Sequence, residues 1–281
     1  MFKSKKYVRT ITRIPDDLWN EIKNILPDEK SENTIGRPIV PYRKVFDGIL
    51  YVLRTGCQWK MLPREYGSGS TCHRRFQEWM QLGIFDTLWT SLLKIYDNRI
   101  GIKWSWQSLD SISVKSPLGG RKTGHNPTDR SKLGSKRHIL TDKDGIPLSA
   151  VITSANTHDV TVAIDTVDSI VIKRPSSLSK PKHNQKKQNL CIDKAYHSKE
   201  IEQEIIKRGY IPHIRHRREE EEEERIFHRK HPTRRWVVER TNSWHNRFRK
   251  LFTRYEKKDK NYLGLVQLAN SIIVYRRIIL G

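Results

Sequence analysis

Apolar residues recur at helical spacing through the first hundred positions of this 281-residue chain and at strand spacing beyond them. In IPDDLWNEIKNILP, residues 14–27, Leu18, Trp19, Ile22 and Ile25 share one helical face, with Pro15 and two acids at the start and Pro27 at the end. A second helix is expected from about Tyr42, with Val45, Ile49, Val52 and Leu53 on one face and Gly56 as C-terminal cap. WKMLPREYGSGSTCHRRFQEWMQLG predicts a short helix, a glycine-containing turn and a helix from about Ser70, its N-cap, to Gly83. Phe76, Trp79, Met80 and Leu82 supply that helix's core contacts, and His73, Arg74, Arg75 and Gln77 face outward.

From residue 101 the period changes. WSWQSLDSISVK alternates and predicts a strand containing Leu109, Ile112 and Val114. In HILTDKDGIPLSAVITSA two apolar runs flank Asp144-Gly145, a hairpin signal. THDVTVAIDTVDSIVIK reads as a helix, and Leu190 to Ile192 as a buried strand that ends on Asp193. A helix from Ser198 to about Arg208, stopped by Gly209, precedes a strand in YIPHIR. One last long helix is expected in HPTRRWVVERTNSWHNRFRKLFTRYEKKD, where Val237, Trp244, Phe248, Leu251 and Tyr255 form a single buried stripe. Three strands, then helix and strand in alternation, is the order of a ribonuclease H-like fold, an α/β mixed sheet flanked by helices. The expected organisation is that domain over 100–281, preceded by an all-helical domain over 1–99. The tight turn and exposed arginines of the latter fit a helix-turn-helix DNA reader as well as they fit an ordinary bundle.

Charge then selects the partner. Lysine and arginine number 54 against 31 aspartates and glutamates, a formal +23, which calls for a polyanion, most often nucleic acid. A membrane is disfavoured, because no window approaches eighteen consecutive apolar residues, and the start MFKSKKYVRTITR lacks a signal-peptide apolar segment. The expected location is the cytoplasm, at the nucleoid. Three cysteines without a CxxC pair, and scattered histidines, argue against a structural zinc site or a disulfide framework.

A carboxylate ending a buried strand needs a partner. Asp110 lies in the first strand of the expected sheet, Asp193 closes the fourth, and Glu239 sits on the last helix. Glu239 falls about 200° around from Val237, on a face with Arg235, Asn242 and Asn246. Taken singly, each acid reads as a local cap or ion pair. Taken together in this topology, they suit two Mg2+ ions, with Mn2+ a workable substitute, that promote in-line attack on a phosphodiester. The basic segment beside Asp110, with Lys115, Arg121, Lys122, Arg130, Lys132, Lys136 and Arg137, is expected to contact phosphate, and Arg247, Arg249 and Lys250 extend it. His158 and Asp159, in NTHD, fit the site and a simple helix start equally well.

The blocks GILYVLRTGCQWKMLPREYGSGSTCHRRFQEWMQLGIFD, LDSISVKS, PTDRSKLGSKRHILTDKDGIPLSAVITSANTHD, CIDKAYHS and RWVVERTNSWHNRFRKLFTRYEKK resemble the DDE transposases of bacterial insertion sequences, specifically the insertion-sequence-five family. The resemblance runs from about residue 12 to the C-terminus. It implies a catalytic, metal-binding triad of Asp110, Asp193 and Glu239 and a DNA substrate made of terminal inverted repeats and a target. It also implies metal-dependent cleavage and strand transfer by a homodimer on DNA. Arg74, Arg75, Lys194, Arg235, Asn242 and Arg247 join the basic segment as expected DNA contacts. The family's Tyr-x2-Arg-x3-Glu-x6-Lys signature is only partly present: Arg235 holds the arginine position, while Pro232 and Asn246 replace the tyrosine and the lysine. Six glutamates, Glu219 to Glu224, depart further, as a solvated run or as an occupant of the DNA channel. The alternatives are a non-catalytic regulator that binds the element, and a nuclease that cuts without joining.

Overall fold

The computed structural model describes residues 2–3, 6, 9–29, 39–175, 188–196, 198–214 and 235–281. The glutamate run 219–224, Pro232 and the side chain of Lys194 lie outside the described residues. The chain forms two compact units, Met1–Ile100 with His245–Gly281, and Gly101–Trp244. The chain divides near residue 100 as expected from the change of period, and by packing residues 245–281 cluster with the first hundred.

The first unit holds α1 (Asp16–Lys23), α2 (Tyr42–Thr55), α3 (Gly69–Gln81) and α4 (Ile84–Arg99); Leu18, Ile22, Val45, Ile49, Val52, Leu53, Phe76 and Trp79 are buried as their spacing predicts, whereas Leu82, expected in the core, is exposed just past the end of α3. α2 ends on Gly56 at φ 74°, whose N–H bonds to Val52 O. The N-cap of α3 is Ser68 rather than Ser70; its side chain accepts from Thr71 N. No tight turn joins α2 to α3, because two 3-10 turns, Trp59–Met61 and Arg64–Tyr66, lie between them. The tight glycine link, Gly83 at φ 70°, comes after the arginine-bearing helix and leads into α4.

Two further helices complete this unit, α8 (Arg249–Phe252) and α9 (Asp259–Leu280). The long helix expected over 231–259 is broken: α7 (Trp236–Asn246) stops, Phe248 is extended, and α8 adds one turn. Its residues therefore do not share one stripe, and Tyr255 is exposed. α9 has the length and hydropathy of a membrane-crossing helix, yet 78% of that stretch is buried inside the protein, much of it against α4. It is a core helix, apolar on nearly all sides.

The second unit is built on β1 (Trp106–Lys115), β2 (Gly124–His125), β3 (Leu133–Asp142), β4 (Pro147–Ser154), β5 (Gln188–Ile192) and β6 (Tyr210–Ile214). The main sheet runs β4-β3-β1-β5-β6, with β2 extending the outer edge of β3. The first three strands are antiparallel, while β5 and β6 run parallel to β1 and to each other. With α5 (Ala163–Asp168), α6 (Lys199–Lys207) and α7, this is the ribonuclease H-like α/β arrangement. The β3–β4 hairpin turns at Gly145, φ 80°, and is anchored by Asp142, whose Oδ1 accepts from the N–H groups of Asp144 and Ile146 at 2.9 Å each.

Candidate active site

β1 and β5 pair in parallel with Leu109 opposite Ile192 as the last matched pair. The next residues are Asp110, midway along β1, and Asp193, just past the end of β5, so the register sets these two residues side by side. Asp110 is 9% exposed and its Oδ1 accepts from Ser111 N at 2.9 Å. Arg235, just before α7, reaches across with Nη1 3.1 Å from Asp193 Oδ1 and Nε 3.3 Å from Glu239 Oε1. The second contact is an ion pair without hydrogen-bond alignment, since that Nε has no hydrogen-bond partner. Glu239 is on the first turn of α7 and half exposed.

Burial pushes the Asp110 carboxyl up to about 6; Arg235 and the Ser111 N–H oppose the shift, and the charges of Asp193 and Glu239 add to it. The predicted triad therefore shares one electrostatic neighbourhood, with Arg235 as its counter-charge. Among the described residues, no three acidic, histidine or cysteine side chains close around a single cation position. By donor type the site nonetheless fits magnesium: three carboxylates, all hard oxygen, one of them desolvated.

Behind the carboxylates lies a polar layer that sequence reasoning missed. Asp159, left undecided in NTHD, accepts at Oδ1 from Ser111 Oγ at 3.1 Å and from Lys136 Nζ at 3.0 Å. Lys136 also donates to Thr157 O at 2.8 Å, so this expected phosphate contact is turned inward, a correction. His138, fully buried and opposite Ser111 in the β1–β3 register, lies 3.2 Å by Nδ1 from the Tyr196 hydroxyl and 2.8 Å by Nε2 from Thr153 Oγ1. Burial, aided by Lys136 and opposed by Asp159, lowers its pKa to about 4, so it is neutral at physiological pH. The Tyr196 phenol is raised well above its ordinary range, by burial first and then by the charges of Asp159, Asp110 and Asp193. The available signal is spacing: Tyr196 stands one helical turn after Asp193.

Arg121, Lys122, Arg130 and Lys132 are exposed, as is Lys115, which stands 3.9 Å from Asp129. The loop 126–132 is tied internally, with Asn126 Oδ1 accepting from Thr128 N and Oγ1 and with Ser131 N bonding to Asn126 O. Arg137 is fully buried in β3, which removes it from the DNA-contact set. Asn242 is buried as well, because α7 lays Val238, Thr241 and Asn242 inward, with Thr241 Oγ1 donating to Gly145 O at 2.7 Å. Lys250 is buried beside Glu256, 3.4 Å away, another correction; Arg247 and Arg249 are exposed in the first unit. Arg74 and Arg75 both pair with Glu78, at 3.0 and 2.7 Å, and Arg75 also lies over the Tyr42 ring.

Residues 14–89 match the family model described as "Putative transposase of IS4/5 family", and residues 107–273 match "Transposase DDE domain". The "Putative transposase for insertion sequence element IS402" of Burkholderia cepacia is 35% identical over 157 residues, 56% of this chain and 70% of that protein. "Uncharacterized protein y4sN" of Sinorhizobium fredii is 27% identical over 124 residues, 42% of this chain and 91% of that one. Among solved structures, the catalytic domain of Mos1 mariner transposase aligns at 10% identity over 73% of this chain and 92% of its own, with a TM-score of 0.28.

Proposed function

The chain belongs to the DDE transposases of the IS4/5 type, and we propose that it binds the terminal inverted repeats of its own insertion sequence, cleaves the DNA there, and joins the freed 3′-hydroxyls to target DNA. The observation that carries this reading is that Asp110 from the middle of β1, Asp193 from the end of β5 and Glu239 from α7 share the charge of Arg235. Asp110, Asp193 and Glu239 would hold magnesium. Bound there, the metal supplies positive charge and Lewis acidity for in-line displacement at phosphorus.

The protein's own residues do the rest. Arg235 keeps Asp193 and Glu239 turned toward one another while the site is without substrate. Arg121, Lys122, Arg130 and Lys132, exposed on the segment after β1, hold the phosphate backbone. Because two transposon ends must be cut and joined together, two copies act on one DNA pair.

The test is a labelled duplex carrying one terminal repeat, incubated with protein and magnesium or manganese. The expected result is a nick at the repeat boundary together with joined products, both lost in Asp193→Asn while binding persists. Specific binding with no metal-dependent cleavage would replace this reading with that of a non-catalytic binder. Cleavage without joined products would replace it with that of a nuclease.

A further inference from the structure

The β1–β5 ladder stops at the Leu109–Ile192 pair, so sheet hydrogen bonds do not fix Asp193 itself. Asp193 leads instead into a single 3-10 turn, Lys194–Tyr196, closed by Tyr196 N donating to Asp193 O at 2.9 Å. One turn is too short to hold a carboxylate by backbone bonds alone. Its last side chain, however, is driven inward: Tyr196 is fully buried, and its hydroxyl meets His138 Nδ1 at 3.2 Å.

His138 is itself held at both ring nitrogens, the other one by Thr153 Oγ1 on β4. It sits opposite Ser111, the residue after Asp110, in the β1–β3 ladder. A continuous path thus runs from Asp193 through the turn, the Tyr196 ring and His138 to the strand that pairs with Asp110's own. On the far side, Ser111 is bonded to Asp159, which Lys136 neutralises. The Lys136–Asp159 pair balances its own charge, and the rest of the layer acts on the site by geometry, through the hydrogen bonds that hold Ser111, His138 and Tyr196 in place.

We propose that Tyr196, acting through His138, is a positioning residue that fixes Asp193 against Asp110 for cation binding and cleavage. The inference rests on the transposase reading and assigns Tyr196 and His138 a part in it. Partners lying behind metal-holding carboxylates typically alter metal affinity or activity by about ten- to a hundred-fold when removed. Removing one buried hydroxyl should therefore leave the fold standing and loosen the site.

The experiment compares wild type, Tyr196→Phe, His138→Leu and His138→Asn in three readouts: Mn2+ affinity by the spin-resonance signal of the free ion, nicking of end-containing duplex, and thermal midpoint. Tyr196→Phe is expected to weaken Mn2+ binding and slow nicking about ten-fold, with metal-free DNA binding unchanged and the midpoint lowered but still well above the assay temperature. His138→Leu should match or exceed that loss. His138→Asn, which retains a neutral donor and acceptor, should recover much of it. Wild-type Mn2+ affinity and nicking in Tyr196→Phe would overturn the inference and leave the transposase reading intact. A loss that merely tracks the thermal midpoint, and disappears on cooling the assay, would overturn it too. Failure of the wild type to bind Mn2+ or to nick any end would overturn the transposase reading, and this inference with it.

Discussion

Arg235 holds Asp193, Nη1 to Oδ1 at 3.1 Å, while its Nε lies 3.3 Å from Glu239 four residues along the chain. A planar guanidinium can address two carboxylates at once; an ammonium is a single point of charge. Arg235→Lys and Arg235→Gln are both expected to slow cleavage at least about ten-fold, with Gln the more severe. The pair is partly exposed, so its loss should cost no more than about 1 kcal/mol of stability. Parallel measurement of cleavage rate and thermal midpoint checks this; equal cleavage by the lysine variant would show that charge alone suffices.

The positions of the two aspartates on their strands were legible from the apolar pattern, but the pairing of those strands was not. Leu190 to Ile192 ends on Asp193, and WSWQSLDSISVK alternates around Asp110, but only the fold brings those two strands together with Leu109 opposite Ile192. Asp159 was not legible, since its partners Ser111 and Lys136 lie 48 and 23 residues away and only folding joins them. α9 went unread for a different reason: a helix buried on nearly every side shows no stripe, and stripes are what periodicity detects. The same rule misled at residues 231–259, where apolar residues at helical intervals span a break at Phe248. Charge also misled: Lys136 and Arg137 stand in a basic run, but β3 is buried there, and sequence does not reveal that depth.

That burial separates the basic residues into two experimental classes. Arg130→Ala and Lys132→Ala are expected to weaken DNA binding regardless of sequence, each lowering the slope of log affinity against log salt by about 1. Neither should change stability by more than about 0.5 kcal/mol. Arg137→Ala should instead act on the fold, costing on the order of 2 to 4 kcal/mol, because a large, fully buried side chain is truncated and leaves a cavity. Filter binding over a salt series, set beside denaturant unfolding, distinguishes the two. A salt-slope change in Arg137→Ala at unchanged stability would place that side chain on the DNA after all.

Asp142 gives the fold a pH dependence of its own. Burial raises its carboxyl to about 6, against an ordinary 3.8, despite the backbone N–H groups of Ile146, Lys103 and Asp144 that favour the charged form. The folded state therefore holds this proton more tightly than the unfolded chain does. The resulting stability is full below pH about 4, declines as pH rises to about 6 and is absent above it, a span of roughly 2 to 3 kcal/mol. Asp142→Asn carries no such proton, so the difference in unfolding free energy between wild type and variant should slope over that interval and level off above it. A flat difference curve from pH about 4 to about 7 would show the carboxylate to be ionised throughout.

Two glycines of the helical unit are expected to resist substitution for unlike reasons. A Cβ at Gly69 would stand 1.7 Å from the backbone carbonyl oxygen of Trp59, so alanine must displace the 3-10 turn Trp59–Met61. That turn carries the Trp59 ring, stacked on His73 with centroids 4.8 Å apart, and the indole N–H directed at Glu256. Overpacking against backbone costs about 1 to 3 kcal/mol, and here the upper end is expected, because the displaced group is not a flexible side chain. Gly83 has nothing within 4 Å of a built Cβ, but its φ is 70°, so Gly83→Ala should cost only about 1 kcal/mol, through backbone strain alone. Gly83→Asn should recover part of that loss, since asparagine tolerates the left-handed region, whereas Gly69→Asn should be worse than Gly69→Ala. Thermal midpoints of the four variants test the distinction, and a rescue of position 69 by asparagine would show that its constraint is conformational rather than steric.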